Sequence, residues 1–178
     1  MIAGPTAVGK GTVVRHLLAE HPEILLSISV TTRPPRPDEI DGVHYHFVSK
    51  SDFEEMIAAG ELLEYATVHR DHLYGTLKQP VLDALAANQQ MILEIDVQGA
   101  MQVKQSMPSA RLIFLSPPSM EELRRRLKER ATESEQQMKT RLETAEAEMA
   151  LAGEFEHVLI NNDVAQCAQD VLDLMQAN

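Results

Sequence analysis

Apolar residues recur along the chain in short runs that alternate with amphipathic stretches, which favours an α/β fold with a largely parallel sheet. Short, densely apolar runs predict strands at 1–3, 24–30, 45–48, 62–68, 91–97, 112–115 and 157–160. Helical spacing or capping boxes predict helices that begin near residues 10, 51, 80, 119, 134 and 163. The sequence contains no repeat or low-complexity tract, so we expect its 178 residues to share one core that carries inserted segments.

Local signals refine this outline at a few positions. The segment 10–20 is predicted to be helical because Val13, Val14 and Leu17 fall on one face. Proline-rich 31–42 is predicted to be a loop, and the box that begins at Ser51 predicts a helix ending at Gly60. The last helix places Cys167 on its apolar stripe, which indicates a packing role for this side chain.

The charge balance excludes some classes of partner. Lys and Arg total 16 against 27 Asp and Glu, giving a formal net charge of −11. A broad basic face for nucleic acid or an anionic membrane is therefore disfavoured. No apolar run approaches the roughly 18 residues of a membrane helix, and the N-terminus does not resemble a signal peptide. Cys167 is the single cysteine and permits no internal disulfide, so we expect a cytoplasmic protein.

The few basic residues are concentrated in the sequence. Ten of the sixteen are Lys10, Arg33, Arg36 and seven residues within 124–141. In an acidic protein this distribution indicates a local anion site. The alternative is chance clustering combined with a solvated helix face.

Lys10, the first of these basic residues, belongs to a glycine-rich loop between a predicted strand and a predicted helix, which is the context of a phosphate-binding P-loop. Its residues are Gly4, Pro5, Thr6, Ala7, Val8, Gly9, Lys10, Gly11 and Thr12. Backbone N–H groups of such a loop surround phosphate oxygens, and the lysine reaches the terminal phosphates. Gly11 stands where a Ser or Thr usually follows the lysine, so we expect Mg²⁺ to be held by nucleotide phosphates and water. Only three residues precede Gly4, and we expect the native chain to begin upstream of Met1.

A second anion site is predicted from Arg33 and Arg36, which lie three residues apart in a proline-stiffened segment. Tyr45 and Tyr74 could donate hydroxyl hydrogen bonds to the same anion. Taken singly, each tyrosine is more often a residue at the rim of the core.

Seven segments together resemble a nucleoside-monophosphate kinase of the guanylate kinase family, bacterial type. They are GPTAVGKGT (4–12), SVTTRPPRP (29–37), DGVHYHFV (41–48), LEYA (63–66), YGT (74–76), LEIDVQG (93–99) and PPS (117–119). The similarity extends from Gly4 to the last helix. It implies a P-loop three-layer core formed by 1–30, 77–119 and 146–178, a GMP-binding insertion at 31–76 and a lid at 120–145.

The resemblance also implies the residues of an acceptor site. Arg33, Arg36, Tyr45 and Tyr74 would hold the GMP phosphate, while Ser29, Glu64, Thr76 and Asp96 would line the base pocket. Guanine presents N–H donors that a carboxylate accepts and an O6 acceptor for a hydroxyl, whereas adenine would leave these groups unpaired. Glu94 departs from the family's usual Asp, which leaves its role open between contact with magnesium-bound water and structure.

For the donor nucleotide, the resemblance implies that Arg126, Arg130 and Arg141 act with Lys10 in catalysis and that Asn161 lies near adenine. Arginines in a lid neutralise the transferring phosphoryl group and exclude water. For Arg124, Arg125 and Lys128 we favour ordinary helix-surface charge pairs. The stretch that contains Arg70 and its neighbouring histidines is interpreted as a solvated turn.

The sequence therefore predicts ATP-dependent phosphorylation of GMP, and of dGMP, with Mg²⁺, by a monomer or small homo-oligomer. Two alternatives remain: a kinase of the same fold for another nucleoside monophosphate, and a non-catalytic guanylate-kinase-like interaction module.

Overall fold

The computed structural model describes residues 1–68, 72–129 and 135–177. Its elements, in chain order, are β1 (Ile2–Ala3), α1 (Lys10–Glu20), β2 (Leu25–Leu26), β3 (Ser29–Thr31), β4 (His46–Phe47), α2 (Lys50–Ala59), β5 (Leu62–Val68), β6 (His72–Leu77), α3 (Lys78–Ala86), β7 (Met91–Ile92), α4 (Val97–Ser106), β8 (Ile113–Ser116), α5 (Met120–Glu129), α6 (Glu135–Ala150), a 3-10 turn (Ala152–Glu154), β9 (His157–Ile160) and α7 (Val164–Gln176). The chain divides into two compact units, one formed by Met1–Glu23 with Arg111–Asn178 and the other by Ile24–Ala110.

The first unit contains a parallel sheet in the order β1-β8-β9. All four residues of β8 are buried, as expected for the central strand of a parallel sheet. Helix α1 packs against α7, and both bury one apolar face. Cys167 lies on the buried face of α7, which confirms the packing role predicted for it. Asp163 caps α7 by accepting a hydrogen bond from the Gln166 amide at 2.9 Å.

The second unit contains two sheets. Strands β2 and β7 form a parallel pair, and β4-β3-β6-β5 form a mixed sheet. In the mixed sheet β6 runs antiparallel to both β3 and β5, while β4 runs parallel to β3. The fold is therefore α/β with parallel sheets, as predicted, and one sheet also includes antiparallel pairs.

Two predicted strands are wrong in extent. The apolar run 24–30 is not one strand, because β2 pairs with β7 and β3 pairs in the other sheet. The run 91–97 contains only a two-residue strand. Asp96 caps helix α4, because its side chain accepts a hydrogen bond from the Gly99 amide at 2.8 Å. Val97 is therefore the first residue of a helix that the sequence analysis missed.

Other boundaries also differ from the predictions. His72, one of the histidines interpreted as part of a solvated turn, is instead the first residue of β6 (His72–Leu77). Thr31, placed in the predicted loop, ends β3. The capping residue of α2 is Ser49 rather than Ser51, since the Ser49 side chain accepts from the Asp52 amide and the Asp52 side chain from the Ser49 amide.

The predictions for α1, β5 and β9 are confirmed to the residue. Ser119 accepts from the Glu122 amide at 3.1 Å, which confirms the predicted start of α5. The box predicted at Ser134, like Arg70 and its neighbours at 69 and 71, lies outside the described residues. No helix in the described part of the chain is both long enough and apolar enough to span a membrane.

Candidate active site

The predicted P-loop connects β1 to α1, and its conformation explains its two glycines. Gly4 has a φ of +143°, and a Cβ there would lie 2.3 Å from the backbone oxygen of Leu115. Gly9 adopts the left-handed conformation at the N-cap of α1, and its Cβ would lie 2.6 Å from Asn161 Nδ2. Ala7 also has a positive φ, of 62°. The loop therefore combines a strained backbone with close packing on two neighbouring segments.

The Val8 carbonyl at the centre of the loop accepts two side-chain hydrogen bonds. Arg126 Nη1 donates at 3.0 Å and Asn161 Nδ2 at 2.8 Å. Arg126 also donates from Nη2 to the Asn161 carbonyl (3.1 Å) and from Nε to Glu122 (2.8 Å). Hydrogen bonds from Arg125 and Arg126 lower the pKa of Glu122 to about 2, so this carboxylate is a permanently charged partner. Arg126 and Asn161 thus brace the loop.

Lys10 lies over the same loop. Its Nζ donates to the carbonyls of Gly4 (2.6 Å) and Pro5 (3.3 Å). The next residue, Gly11, offers no hydroxyl. Thr12 is exposed, and its hydroxyl accepts from Arg15 at 3.3 Å. The ammonium group is therefore held against the first two residues of the predicted phosphate-binding loop.

In the second unit, the guanidinium group of Arg33, a predicted anion ligand, makes three hydrogen bonds within the protein. Its Nε donates to the Tyr74 hydroxyl at 3.0 Å, Nη1 to the Pro34 carbonyl at 2.8 Å and Nη2 to Glu39 Oε1 at 2.8 Å. These contacts use three of the five guanidinium N–H groups and leave two for a ligand within the described surroundings. Sequence reasoning identified Arg33 and Tyr74 but not Glu39.

Aromatic rings complete this site. The Arg33 guanidinium lies 5.4 Å from the ring centre of Tyr45 and 5.7 Å from that of Phe47. Tyr45 packs edge-on against Tyr74 with ring centres 5.9 Å apart. Burial, with a further contribution from Tyr74, raises the pKa of the Tyr45 hydroxyl, which therefore stays protonated and able to donate. The sequence analysis did not assign Phe47 to this site, because a phenylalanine within a predicted strand is usually a core residue.

A buried carboxylate lies on the same sheet. Glu64 is 5% exposed, and its Oε1 accepts from the Thr76 hydroxyl at 2.6 Å. Strand register places Thr76 opposite both Glu64 and Ser29, so the three side chains share one face. Tyr74, two residues before Thr76 on β6, lies on that face about 7 Å away along the strand. The predicted base-reading and phosphate-binding groups are therefore neighbours on one surface of the mixed sheet.

Burial sets the ionisation of Glu64. It raises the pKa of this carboxyl to about 7, the Thr76 hydrogen bond opposes the rise, and the charge of Asp96 adds to it. Helix α4 packs on β5, and a Cβ on Gly99 would lie 2.3 Å from Glu64 Oε2. Gly99 is thus needed for space around the carboxylate, and the sequence analysis recorded it only as the last residue of the segment 93–99.

The remaining predicted site residues differ in how far the structure places them. Arg36 is 70% exposed, with Nη1 3.9 Å from Glu39 Oε1. Asp96 caps α4 as described. Glu94 is half-buried, near enough for its charge to raise the pKa of Tyr45. Arg141 is half-buried in α6, and Arg130 lies outside the described residues.

Within 1–68, 72–129 and 135–177, no group of three or more His, Cys, Asp or Glu side chains is arranged to hold a metal ion.

Comparisons with known proteins identify the family to which the chain is similar. The family model described as guanylate kinase matches residues 1–178. Proteins named guanylate kinase from Leifsonia xyli subsp. xyli and Cutibacterium acnes are 55% and 51% identical to the chain, each over 98% of it, and the matches cover 69% and 88% of those proteins. A crystal structure of guanylate kinase from Anaplasma phagocytophilum superposes with a TM-score of 0.81 at 30% identity, covering 99% of this chain and 84% of that one.

Proposed function

Since the chain belongs to the guanylate kinase family, we propose that it transfers the γ-phosphoryl group of ATP to GMP and to dGMP, forming ADP and the nucleoside diphosphate. The observation that carries this proposal is the buried Glu64 carboxylate on the sheet face that also carries Tyr74 of the Arg33 anion site. A single bound nucleotide could therefore meet a base-reading carboxylate at one end and a guanidinium at the other.

The chemistry of Glu64 favours guanine as the base. An ionised carboxylate accepts from the N1 and N2 hydrogens of guanine, and the Thr76 hydroxyl is positioned by Glu64 beside it. We propose that Ser29 and Asp96 complete this pocket. Adenine has neither donor, so it would leave a buried carboxylate unpaired, and such a mismatch is costly.

The phosphate of the acceptor is proposed to bind the two remaining N–H groups of Arg33 and the hydroxyls of Tyr45 and Tyr74. The exposed Arg36 side chain would supply a further charge. These groups hold the phosphate as a nucleophile that is already ionised, so no general base is needed. The protein's contribution is to position two anions and to neutralise their repulsion.

The donor nucleotide is proposed to bind the P-loop formed by residues 4–12. Backbone N–H groups and Lys10 would hold the β- and γ-phosphates, with Arg130 and Arg141 neutralising the transferring group and Asn161 near the adenine. Arg126 was predicted to act there too, and in this structure it donates hydrogen bonds to the Val8 carbonyl of the loop, to the Asn161 carbonyl and to Glu122. Lys10 would exchange its present carbonyl partners for phosphate oxygens.

Magnesium is proposed to arrive with ATP as part of the substrate. Gly11 provides no hydroxyl ligand, which suits an ion that keeps several waters and is bound through phosphates. When bound with ATP, the ion would reduce the negative charge of the phosphate oxygens. The insertion at 31–76, the lid at 120–145, the cytoplasmic location and the monomer or small homo-oligomer remain predictions.

A coupled assay of ADP formation from ATP with GMP, AMP, CMP and UMP in turn tests the proposal. We expect turnover with GMP to exceed that with the other three by several orders of magnitude. Lys10→Met should abolish it, while Lys50→Met, at a lysine side chain 75% exposed on α2, should not change it. Preference for AMP, CMP or UMP would instead support another nucleoside-monophosphate kinase, and the absence of any turnover would support the interaction module.

A further inference from the structure

We propose that Glu39 is a positioning residue of the acceptor-phosphate site, holding the Arg33 side chain and the Arg36 backbone in the arrangement that binds the phosphate. This inference rests on the proposed function and deepens it. Neither the sequence pattern nor the resemblance identified Glu39.

Both oxygens of the Glu39 carboxylate are engaged with the two arginine positions. Oε1 accepts from Arg33 Nη2 at 2.8 Å, and Oε2 accepts from the Arg36 amide at 2.8 Å. The Glu39 amide in turn donates to the Arg36 carbonyl at 3.0 Å, which closes the turn. The side chains of Glu39 and Arg33 are each only 13% exposed. One carboxylate therefore fixes a side chain and a loop at the same time.

Glu39 completes the immobilisation of the guanidinium. Tyr74 holds Nε, Pro34 holds Nη1 and Glu39 holds Nη2, so all three nitrogens have a partner. A planar guanidinium that is fixed before the ligand binds loses little freedom on binding, and its remaining N–H groups point in defined directions. Without Glu39, the Nη2 end would be held only through the other two nitrogens.

The charge of Glu39 allows a sharp test, because positioning and electrostatics predict opposite effects. The hydrogen bond from Arg33 lowers the pKa of Glu39, so the carboxylate is ionised at neutral pH. An anion beside a phosphate site repels the ligand and competes for Arg33. If Glu39 acted by charge alone, its removal would strengthen GMP binding. If it positions Arg33 and Arg36, its removal weakens binding.

The experiment compares Glu39→Gln with Asp38→Asn, which removes the same charge from the neighbouring, exposed position. We expect Glu39→Gln to raise the KM for GMP about tenfold, since it loses a charge-assisted hydrogen bond that organises the site. The KM for ATP should stay within about twofold, as should every constant of Asp38→Asn. A KM for GMP that is unchanged or lower in Glu39→Gln overturns the inference.

A double-mutant cycle separates positioning from general destabilisation. If Glu39 acts largely through Arg33, Glu39→Gln should raise the KM for GMP less in an Arg33→Lys background than in wild type, where the contacts with both Arg33 and Arg36 are present. Additive effects would overturn the inference. If Glu39→Gln does not fold, as judged by thermal unfolding, Glu39→Asp takes its place. Glu39→Asp keeps the negative charge but has a shorter side chain. A positioning role therefore still predicts a higher KM for GMP, whereas a purely electrostatic role predicts no change in this KM.

The outcome is distinguishable from failure of the proposed function. If the wild-type protein phosphorylates GMP and Glu39→Gln has the same KM for GMP, only the role of Glu39 is refuted. Wild-type protein that neither phosphorylates GMP nor binds it in a calorimetric titration removes both.

Discussion

Replacing Glu64 by Gln should change how stability depends on pH. The carboxyl is 5% exposed and its pKa is raised from 4.5 to about 7, chiefly by burial. Gln keeps the size of the side chain and an oxygen that can accept from Thr76, but it cannot ionise. The variant therefore removes the buried charge while retaining most of the packing.

The magnitude follows from proton linkage. Below pH 4.5 the carboxyl is protonated in both states, so the stability that it contributes is fully present. As pH rises towards 7 the unfolded chain ionises first, and this stability is lost through the folded pKa. A rise from 4.5 to about 7 corresponds to about 3 kcal/mol in total, of which about 2 to 3 kcal/mol falls between pH 5 and 8.

Urea unfolding of wild type and Glu64→Gln at pH 5, 6, 7 and 8 measures this loss. Every other titrating group is common to both proteins, so the difference between the two free energies of unfolding isolates Glu64. We expect that difference to move by about 2 to 3 kcal/mol in favour of the variant as pH rises from 5 to 8. Glu55→Gln, at an exposed site on α2, should give a constant difference. Parallel profiles for wild type and Glu64→Gln would refute the reasoning.

The same variant should lose its preference for GMP, because a neutral amide does not supply two acceptor oxygens to the guanine N–H groups. We expect a large rise in the KM for GMP and little change in the KM for ATP. A more stable protein with a poorer substrate site would show that the buried charge is kept for recognition, at a cost in stability. An unchanged KM for GMP would remove Glu64 from base recognition.

Two further substitutions test the packing of the two sites. Gly99→Ala places a methyl group 2.3 Å from Glu64 Oε2. We therefore expect its free energy of unfolding in urea to fall by about 1–3 kcal/mol and its KM for GMP to rise. Gly153→Ala is the control, because the space around Gly153 is open, and it should change neither quantity. Asn161→Ala removes a buried hydrogen bond to the P-loop and should cost about 1–2 kcal/mol and raise the KM for ATP several-fold. Asn162→Ala, at the exposed neighbouring position, is its control. Equal effects of the two substitutions would contradict a role for the Asn161 hydrogen bond in supporting the P-loop.

Much of the fold was predictable where the signal is local. Helix α1 and strands β5 and β9 have patterns complete within a few residues, and their bounds are confirmed. The run 24–30 failed because strand pairing is decided by distant partners: the Ser27 amide donates to Ile92, while β3 pairs with β6. Helix α4 was missed because its first residue, Val97, continues the apolar run 91–97 that predicted a strand.

The same distinction applies to the candidate site. Arg33, Tyr45 and Tyr74 were found because charged and phenolic side chains near glycine and proline are conspicuous in a sequence. Glu39 was not, since an acid in a loop is usually solvated, and its role depends on a contact with a residue six positions away. The resemblance names residue positions, whereas only the structure shows which partner each side chain has.

The two donors on the Val8 carbonyl also bear on how the protein is made. They belong to residues 118 and 153 positions further along the chain, so ribosomes translate the loop long before its supports. During synthesis the loop therefore lacks the Arg126 contact until α5 has been translated and the Asn161 contact until the residue after β9 has been translated. If the loop binds ATP as proposed, a nascent chain halted before residue 157 should not retain the nucleotide.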